Sequence, residues 1–281
     1  MIVDGKALAA GILAKTKREG VGLAHALVVR AIVVQPSPAT HSYLRVKSAR
    51  AEDAGMRMDT VQLPEGATTQ DVIEVVQATG ADAIIVQLPL PVGFDQQAIL
   101  DAIPRAADAD VLSSEAYAAF ERAEDGALLP PVVGAIREVL AHANVDPRGK
   151  RVVIVGNGRL VGQPAHAWFL QRGAEAVAVT KETSDTLPAL LPHADIVVCG
   201  AGSPHLIRPE MVKDGVVLID AGTSESNGAI VGDIDPACAA KASVFTPVPG
   251  GIGPMAVACL FQNAVALAQA AHDALLTNPA A

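Results

Sequence analysis

Short aliphatic runs recur along the chain and alternate with stretches of helical spacing. The first is Ala26-Leu27-Val28-Val29-Arg30-Ala31-Ile32-Val33-Val34, a short one lies near 58–63, and the third is Ala83-Ile84-Ile85-Val86-Gln87-Leu88. Such runs are too brief for typical helices and are rich in β-branched residues, so they read as strands. Pro89 and Pro91 stop the third. Between them the pattern predicts helices over 6–18 and 39–54, the latter closed by Gly55 as its C′ residue, and another opened by Thr68 or Thr69 as N-cap. A second series starts at Arg151, with strands at 152–156, 176–179, 195–198 and 216–220 separated by helical patterns. Strands alternating with helices imply βαβ crossovers and parallel sheets. The series break at the acidic, turn-rich stretch 121–126, and 256–276 reads as one long helix.

Composition supports that fold class. With 281 residues the chain holds one large or two medium domains, and at 51% hydrophobic but 3% aromatic its cores must be built from Ala, Val, Leu and Ile. That suits parallel sheets covered on both faces. A net charge of −9 gives no basic footprint for nucleic acid or an anionic membrane. Cys199, Cys238 and Cys259 are odd in number and lack CxxC spacing, so neither a disulfide framework nor a zinc site is expected and a reducing compartment is. The start Met1-Ile2-Val3-Asp4-Gly5-Lys6 is too polar for a signal peptide, and no apolar run reaches about 18 residues. The expectation is a soluble, cytoplasmic protein. The histidines are scattered without metal-ligand spacing, and Trp168 reads as core or interdomain packing.

Four segments are candidates for chemistry. Gly156-Asn157-Gly158-Arg159-Leu160-Val161-Gly162 follows a strand and opens a helix, the setting in which glycines let a pyrophosphate approach backbone N–H groups. The spacing is GxGxxxG, and the context favours nucleotide binding over a packing role alone. Tyr43 and Lys47 share one helix face at i, i+4. Such a lysine acts as an acid or base if burial lowers its pKa; a solvated lysine beside a packing tyrosine is the other reading. Gln87-Leu88-Pro89-Leu90-Pro91 ends a strand and either presents the Gln87 amide to a substrate or is only a rigid exit. Thr246-Pro247-Val248-Pro249-Gly250-Gly251-Ile252-Gly253-Pro254-Met255 reads as a rigid loop that lets backbone approach a flat ligand.

Taken in this order, these segments resemble the bifunctional methylenetetrahydrofolate dehydrogenase/cyclohydrolase family over nearly the whole chain. Pro38-Ala39-Thr40-His41-Ser42-Tyr43 through Lys47 resembles P-A-S-x-x-Y-x-x-x-K, and residues 87–91 reproduce Q-L-P-L-P. Ile103-Pro104 with Asp108-Ala109-Asp110 resembles I-P-x-x-K-D-V-D, Leu160-Val161-Gly162-Gln163-Pro164 resembles I-V-G-x-P, and 247–255 resembles P-V-P-G-G-V-G-P-M. The resemblance implies a two-domain α/β protein. Residues 1–121 with 257–281 would form the folate-binding domain, rejoined by the C-terminal helix, and 122–256 a Rossmann-like domain facing it across the folate cleft. It implies hydride transfer from 5,10-methylenetetrahydrofolate to a nicotinamide, then hydrolysis of the methenyl cation to 10-formyltetrahydrofolate, a one-carbon donor for purine biosynthesis. Lys47 would be the main group of the hydrolytic half, tuned by Gln87 and Tyr43. Asp110 would bind the pterin, with Pro249, Gly250, Gly251, Gly253 and Pro254 positioning the ring. Gly156, Asn157, Gly158, Arg159, Leu160, Val161, Lys181, Glu182, Gly222 and Thr223 would hold the nucleotide. A homodimer is the family habit.

The departures bear on the cofactor. The family's G-R-S is Gly156-Asn157-Gly158 here, and its C-H-S segment aligns with Thr180-Lys181-Glu182. An arginine and a serine that commonly meet the 2′-phosphate of NADP are therefore absent, and Glu182 suits ribose hydroxyls as in NAD sites. Arg159 and Lys181 are close enough in sequence to supply replacement charge. NADP is the expected cofactor by family habit, with NAD as the alternative. Ala107 replaces the lysine before D-V-D, and Val111 the glycine after it.

Overall fold

The computed structural model describes residues 1–23, 25–226 and 229–277. Helix α1 (Gly5–Glu19) leads into β1 (Val28–Val34), α2 (Pro38–Asp53), β2 (Arg57–Leu63), α3 (Thr69–Gln77), β3 (Ala83–Val86), α4 (Gln96–Asp101) and α5 (Ser114–Glu121). Then follow α6 (Pro131–His142), β4 (Arg151–Val155), α7 (Gly162–Gln171), β5 (Glu175–Val179), α8 (Leu187–Leu190), β6 (Ile196–Cys199) and β7 (Val217–Asp220). The short strands β8 (Ser224–Ser226), β9 (Ala229–Val231) and β10 (Val244–Phe245) precede α9 (Ile252–Thr277).

The chain divides into two compact units, outer and central by their order along the sequence: an outer unit of Ala10–Pro131 with Val257–Ala281, and a central unit of Val132–Ala256 joined by Met1–Ala9. Relative to the sequence boundaries, the division after α5 falls at 131/132 instead of 121/122, and the first nine residues group with the central unit. The cause is backbone pairing: Val3 N–H donates to Phe245 O at 2.9 Å, Phe245 N–H donates to Met1 O, and Ile2 bridges to Phe245 of β10.

In the outer unit three parallel strands lie in the order β2-β1-β3. The central strand β1 is buried along nearly its whole length, as a strand covered on both faces must be. Its one charge, Arg30, donates to Ala78 O at 2.7 Å and Thr79 O at 3.1 Å, which satisfies two of its groups off the end of α3. Thr68 caps α3 in a reciprocal box with Asp71, whose carboxylate sits below its usual range because Thr68 donates to it. We expect Thr68→Ala to cost about 1 kcal/mol in urea unfolding; an unchanged midpoint would contradict that capping role. The later part of α9 belongs to this unit, where Asn263 Nδ2 donates to Ala109 O and Leu129 O at 2.9 Å each, and Gln269 donates to Glu19 O at 2.9 Å.

The central unit is a Rossmann-like sheet of five parallel strands in the order β10-β7-β6-β4-β5. Strands β6 and β7 are wholly buried, and β5 at the edge alternates exposed with covered positions. The chain leaves β4 to one side for β5 and returns to the other for β6, so the switch point lies beside β4. Trp168 is buried and packs edge-on against Phe169, a core role.

Two readings of the final segment change. The Gly/Pro-rich stretch is loop only as far as Gly251, and α9 begins at Ile252, earlier than expected, placing Gly253 and Pro254 in its first turn. Residues 252–274 are long and apolar enough to cross a membrane by length and composition, with a mean hydropathy of 1.3. No single apolar run announced this, because Gln262, Asn263 and Gln269 interrupt it; 56% of the stretch is buried within the fold, as in a core helix.

Candidate active site

In the outer unit, β1 and β3 point their carboxyl ends toward the start of α2 and the Gln87 loop. Ser37 caps α2 by accepting from Thr40 N–H, which fixes the helix as it leaves β1. Two turns on, Lys47 is only 7% exposed. Its Nζ donates to Gln87 Oε1 at 3.2 Å and lies 4.9 Å from the centre of the Tyr43 ring. Gln87 continues the ladder by donating its N–H to Ile32 O, and its Nε2 donates to Leu88 O at 2.8 Å. That second bond orients the amide so that its oxygen faces the lysine.

Burial pushes the Lys47 pKa below its ordinary value, opposed by the attraction of Asp110. Loss of water around Asp110 raises its carboxyl, with Lys47 pulling the other way and Asp108 adding to the rise. Desolvation, then Asp110, pushes the Tyr43 phenol up to about 12, so its hydroxyl keeps its proton at neutral pH. The four groups thus form an amine relieved of part of its basicity, an oriented amide, a phenol donor and a carboxylate. Such a set can take a proton from water and return it elsewhere.

Asp108, buried at 1% exposure, anchors the segment after the 3₁₀ turn Arg105–Ala107 by accepting from Leu112 and Ser113 N–H groups. Val111, which stands where the family pattern has glycine, adopts φ +57°. A β-branched residue is strained in that left-handed region, and Asp108 and Asn263 hold the segment on both sides.

In the central unit, Gly156 leaves β4 with φ +93°, and a Cβ there would lie 2.5 Å from Gly200 O. A Cβ on Gly162 would collide with Gly156 O, whereas one on Gly158 would meet nothing within 4 Å. The outer glycines of the turn are therefore packing requirements and the middle one borders open space. Val161 at the start of α7 has no side-chain cap. Gly158 O accepts from the Val161 and Gln163 N–H groups, and an open turn ahead of a helix start without a side-chain cap fits a nucleotide pyrophosphate. Asn157, Leu160 and Thr223 are exposed and Arg159 is half-buried. Lys181 and Glu182 are exposed in the 3₁₀ turn after β5, and the Thr180 hydroxyl, with Glu182's own N–H, holds the Glu182 carboxylate below its ordinary range. In the last loop Gly250 takes φ +105°, and a Cβ on Gly251 would lie 2.6 Å from Pro247 O.

The catalytic-domain model of tetrahydrofolate dehydrogenase/cyclohydrolase matches residues 3–110, and the NAD(P)-binding-domain model of the same enzymes matches 130–272. The chain belongs to the tetrahydrofolate dehydrogenase/cyclohydrolase family. It is 38% identical over 276 residues to the bifunctional protein FolD of Lacticaseibacillus paracasei, covering 95% of this chain and 97% of that one. The FolD of Acidiphilium cryptum is 34% identical over 275 residues, covering 96% and 98%. Among solved structures, the bifunctional FolD of Campylobacter jejuni superposes with a TM-score of 0.92 at 30% identity, covering 96% of this chain and 99% of that one. The Trypanosoma brucei enzyme, complexed with NADP cofactor and inhibitor, gives 0.90 at 29%, covering 97% and 98%.

For this dehydrogenase/cyclohydrolase, the sequence motifs led to Tyr43, Lys47, Gln87 and Asp110, and the fold gathers them. It missed the roles of three buried carboxylates, Asp108, Asp220 and Asp233. Asp220 accepts from Gly222, Asp233 and Ile234 N–H groups, yet burial still pushes its carboxyl up to about 6. The one signal available was an aspartate closing the aliphatic run 216–220. Among the described residues no group of His, Cys, Asp and Glu could hold a metal ion.

Proposed function

We propose that Lys47 moves the protons of methenyltetrahydrofolate hydrolysis, and that the glycine turn after β4 holds NADP for the preceding oxidation of 5,10-methylenetetrahydrofolate. Both activities belong to the family. The observation that carries the residue assignment is a buried lysine whose amine is held by Gln87, backed by the Tyr43 ring and faced by Asp110.

Water attacks the methenyl carbon, forming a C–O bond, and one of its protons passes to the neutral Lys47 amine. The resulting Lys47 ammonium gives that proton to the departing ring nitrogen as the C–N bond breaks. The remaining hydroxyl proton leaves to solvent as the formyl carbonyl forms, so atoms and charge balance. Gln87 keeps the amine aimed throughout, and the Tyr43 hydroxyl remains a donor. Asp110 accepts hydrogen bonds from the pterin amino and ring N–H groups, a charge-assisted pairing in its ionised form. Pro249, Gly250, Gly251, Gly253 and Pro254 position the ring.

The nicotinamide nucleotide, when bound, supplies the two-electron acceptor of the first step. Gly156, Asn157, Gly158, Arg159, Leu160 and Val161 would hold its phosphates, and Lys181, Glu182, Gly222 and Thr223 its ribose and nicotinamide portions. The ionised Glu182 favours a second reading, NAD, because a carboxylate repels a 2′-phosphate and accepts from ribose hydroxyls. Appearance of methenyl absorbance with each nucleotide tests both. We expect activity with NADP, and Glu182→Gln to shift the NADP/NAD preference about tenfold toward NADP. If neither nucleotide supports methenyl formation, the assignment of the glycine turn falls. The working form we propose is a cytoplasmic homodimer.

A further inference from the structure

The exits of β6 and β7 are tied together by two carboxylates stacked in the interior of the central unit. Asp220, 1% exposed, accepts from Gly222 N–H at 2.9 Å and Asp233 N–H at 3.2 Å through Oδ1, and from Ile234 N–H at 2.8 Å through Oδ2. Asp233, fully buried, accepts from Ala201 N–H at 2.6 Å and Gly202 N–H at 2.9 Å through Oδ2, and from Ser203 N–H at 2.8 Å through Oδ1. Each carboxylate is roofed by a glycine next to the other: a Cβ on Gly222 would strike the Asp233 carboxylate, and one on Gly232 would strike Asp220 Oδ2.

Burying two carboxylates is costly, and backbone donors offset that cost only by being held in fixed positions. Four of those six donors, Ala201, Gly202, Ser203 and Gly222, lie just beyond the carboxyl ends of strands β6 and β7, on the side of the sheet where ligands of open α/β folds bind, and the other two, Asp233 and Ile234, follow β9. The segment that Asp233 grips continues from Gly200, which in turn packs on the glycine turn. A Cβ on Gly156 would lie 2.5 Å from Gly200 O, and one on Gly200 would lie 2.6 Å from Val161 Cγ1. A chain of close contacts therefore runs from the Asp233 carboxylate through backbone 201–203 and Gly200 to Gly156 and the Val161 side chain.

We propose that Asp233, seated on Asp220, is a positioning residue for the nicotinamide nucleotide, holding backbone 201–203 against the glycine turn and, through Asp220, the Gly222-Thr223 exit. This rests on the reading of that turn as the nucleotide site. Asp233 touches no reacting atom; it acts through the loops it fixes.

Asp233→Asn tests it. The amide keeps one acceptor and turns an NH2 toward a backbone N–H, setting donor against donor. Calorimetric Kd for NADP, and for NAD, is expected to rise about tenfold or more, with nucleotide KM rising in step and kcat at saturation within about threefold of the parent. Methenyl hydrolysis, which consumes no nucleotide, is expected to stay at the parent rate. Amide exchange at Ala201, Gly202 and Ser203 is expected to quicken. Gly232→Ala, whose added methyl presses on Asp220 Oδ2 beneath Asp233 and which lies outside the residues assigned to the nucleotide, is expected to reproduce the pattern, and it decides alone if the asparagine variant fails to fold. A folded variant that binds nucleotide within about twofold of the parent overturns the proposal. So does an equal loss of hydrolysis, which would mark a scaffold role. If the parent itself binds neither nucleotide, the cofactor assignment falls and takes this proposal with it.

Discussion

Lys47→Met is expected to lower methenyl hydrolysis by about 10²–10⁴-fold, the usual contribution of a positioned acid/base group. Methionine matches the lysine in length and fills the same buried channel, so folate affinity should change little. Stability should not fall much either, because the lysine ammonium pays for desolvation and the thioether does not. The pH profile separates this role from simple packing. In the parent, hydrolysis should rise with pH through the Lys47 pKa, which burial places below 10.5, because the neutral amine is the base.

The linked stability has a defined sign. Between the lowered folded value and 10.5 the unfolded chain binds the Lys47 proton and the folded chain does not, so stability rises with pH across that window. The methionine variant should lose that rise. Asp110 works the other way: its raised carboxyl makes the folded form hold the proton above 3.8, so stability falls as pH climbs through that window. Without the Lys47 charge, the Asp110 carboxyl should rise further. Decay of methenyl absorbance across a pH series, with thermal unfolding at each point, reads all of this. Hydrolysis at the parent rate would remove Lys47 from the mechanism.

Gly162→Ala and Gly158→Ala should part company, although both replace glycines of one turn. At Gly162 the added methyl meets the Gly156 carbonyl oxygen and comes within 2.7 Å of Asn157 Cα, and backbone cannot step aside as a side chain would. We expect a loss of about 1–3 kcal/mol or more in the central unit, and nucleotide binding lost with the turn. At Gly158 the methyl meets nothing within 4 Å. There stability should stay within about 0.5 kcal/mol while nucleotide affinity drops, because the methyl occupies the space through which a pyrophosphate approaches. Denaturant unfolding alongside calorimetric titration distinguishes the two. Parent-like affinity in Gly158→Ala would remove the middle glycine from the nucleotide site, and parent-like stability in Gly162→Ala would contradict the collision.

The strands were legible where burial is continuous. Residues 28–34 apart from Arg30, 83–86 and 217–219 are aliphatic because parallel strands covered on both faces admit little else. The antiparallel pair of β8 and β9 escaped notice, since strands of three residues carry too little pattern to register. So did β10, two residues long and defined only by its pairing with β7 and the bridge from Ile2. Helices α5 and α6 lie on either side of the acidic break at 121–126, where the sequence pattern assigned no element.

The glycine turn shows the same limit at finer grain. The sequence marked three glycines as one device, but only packing distinguishes the two that the fold requires from the one left facing open space.

What the sequence determined by itself was the alternation of strand and helix, and with it the parallel class, because periodicity and β-branched runs are local properties. It also determined the motif set, Tyr43 and Lys47 four apart on one helix and Gln87 at a strand end. Only the tertiary structure decided that Lys47 is buried against Gln87 with its basicity lowered, since a pKa depends on the water and charge removed by distant segments. It alone brought Asp220 and Asp233 together across thirteen residues and aimed the second at a loop some thirty residues earlier. Hydrogen bonds between remote segments leave no period in a sequence, and those bonds fix the loops that follow β6 and β7.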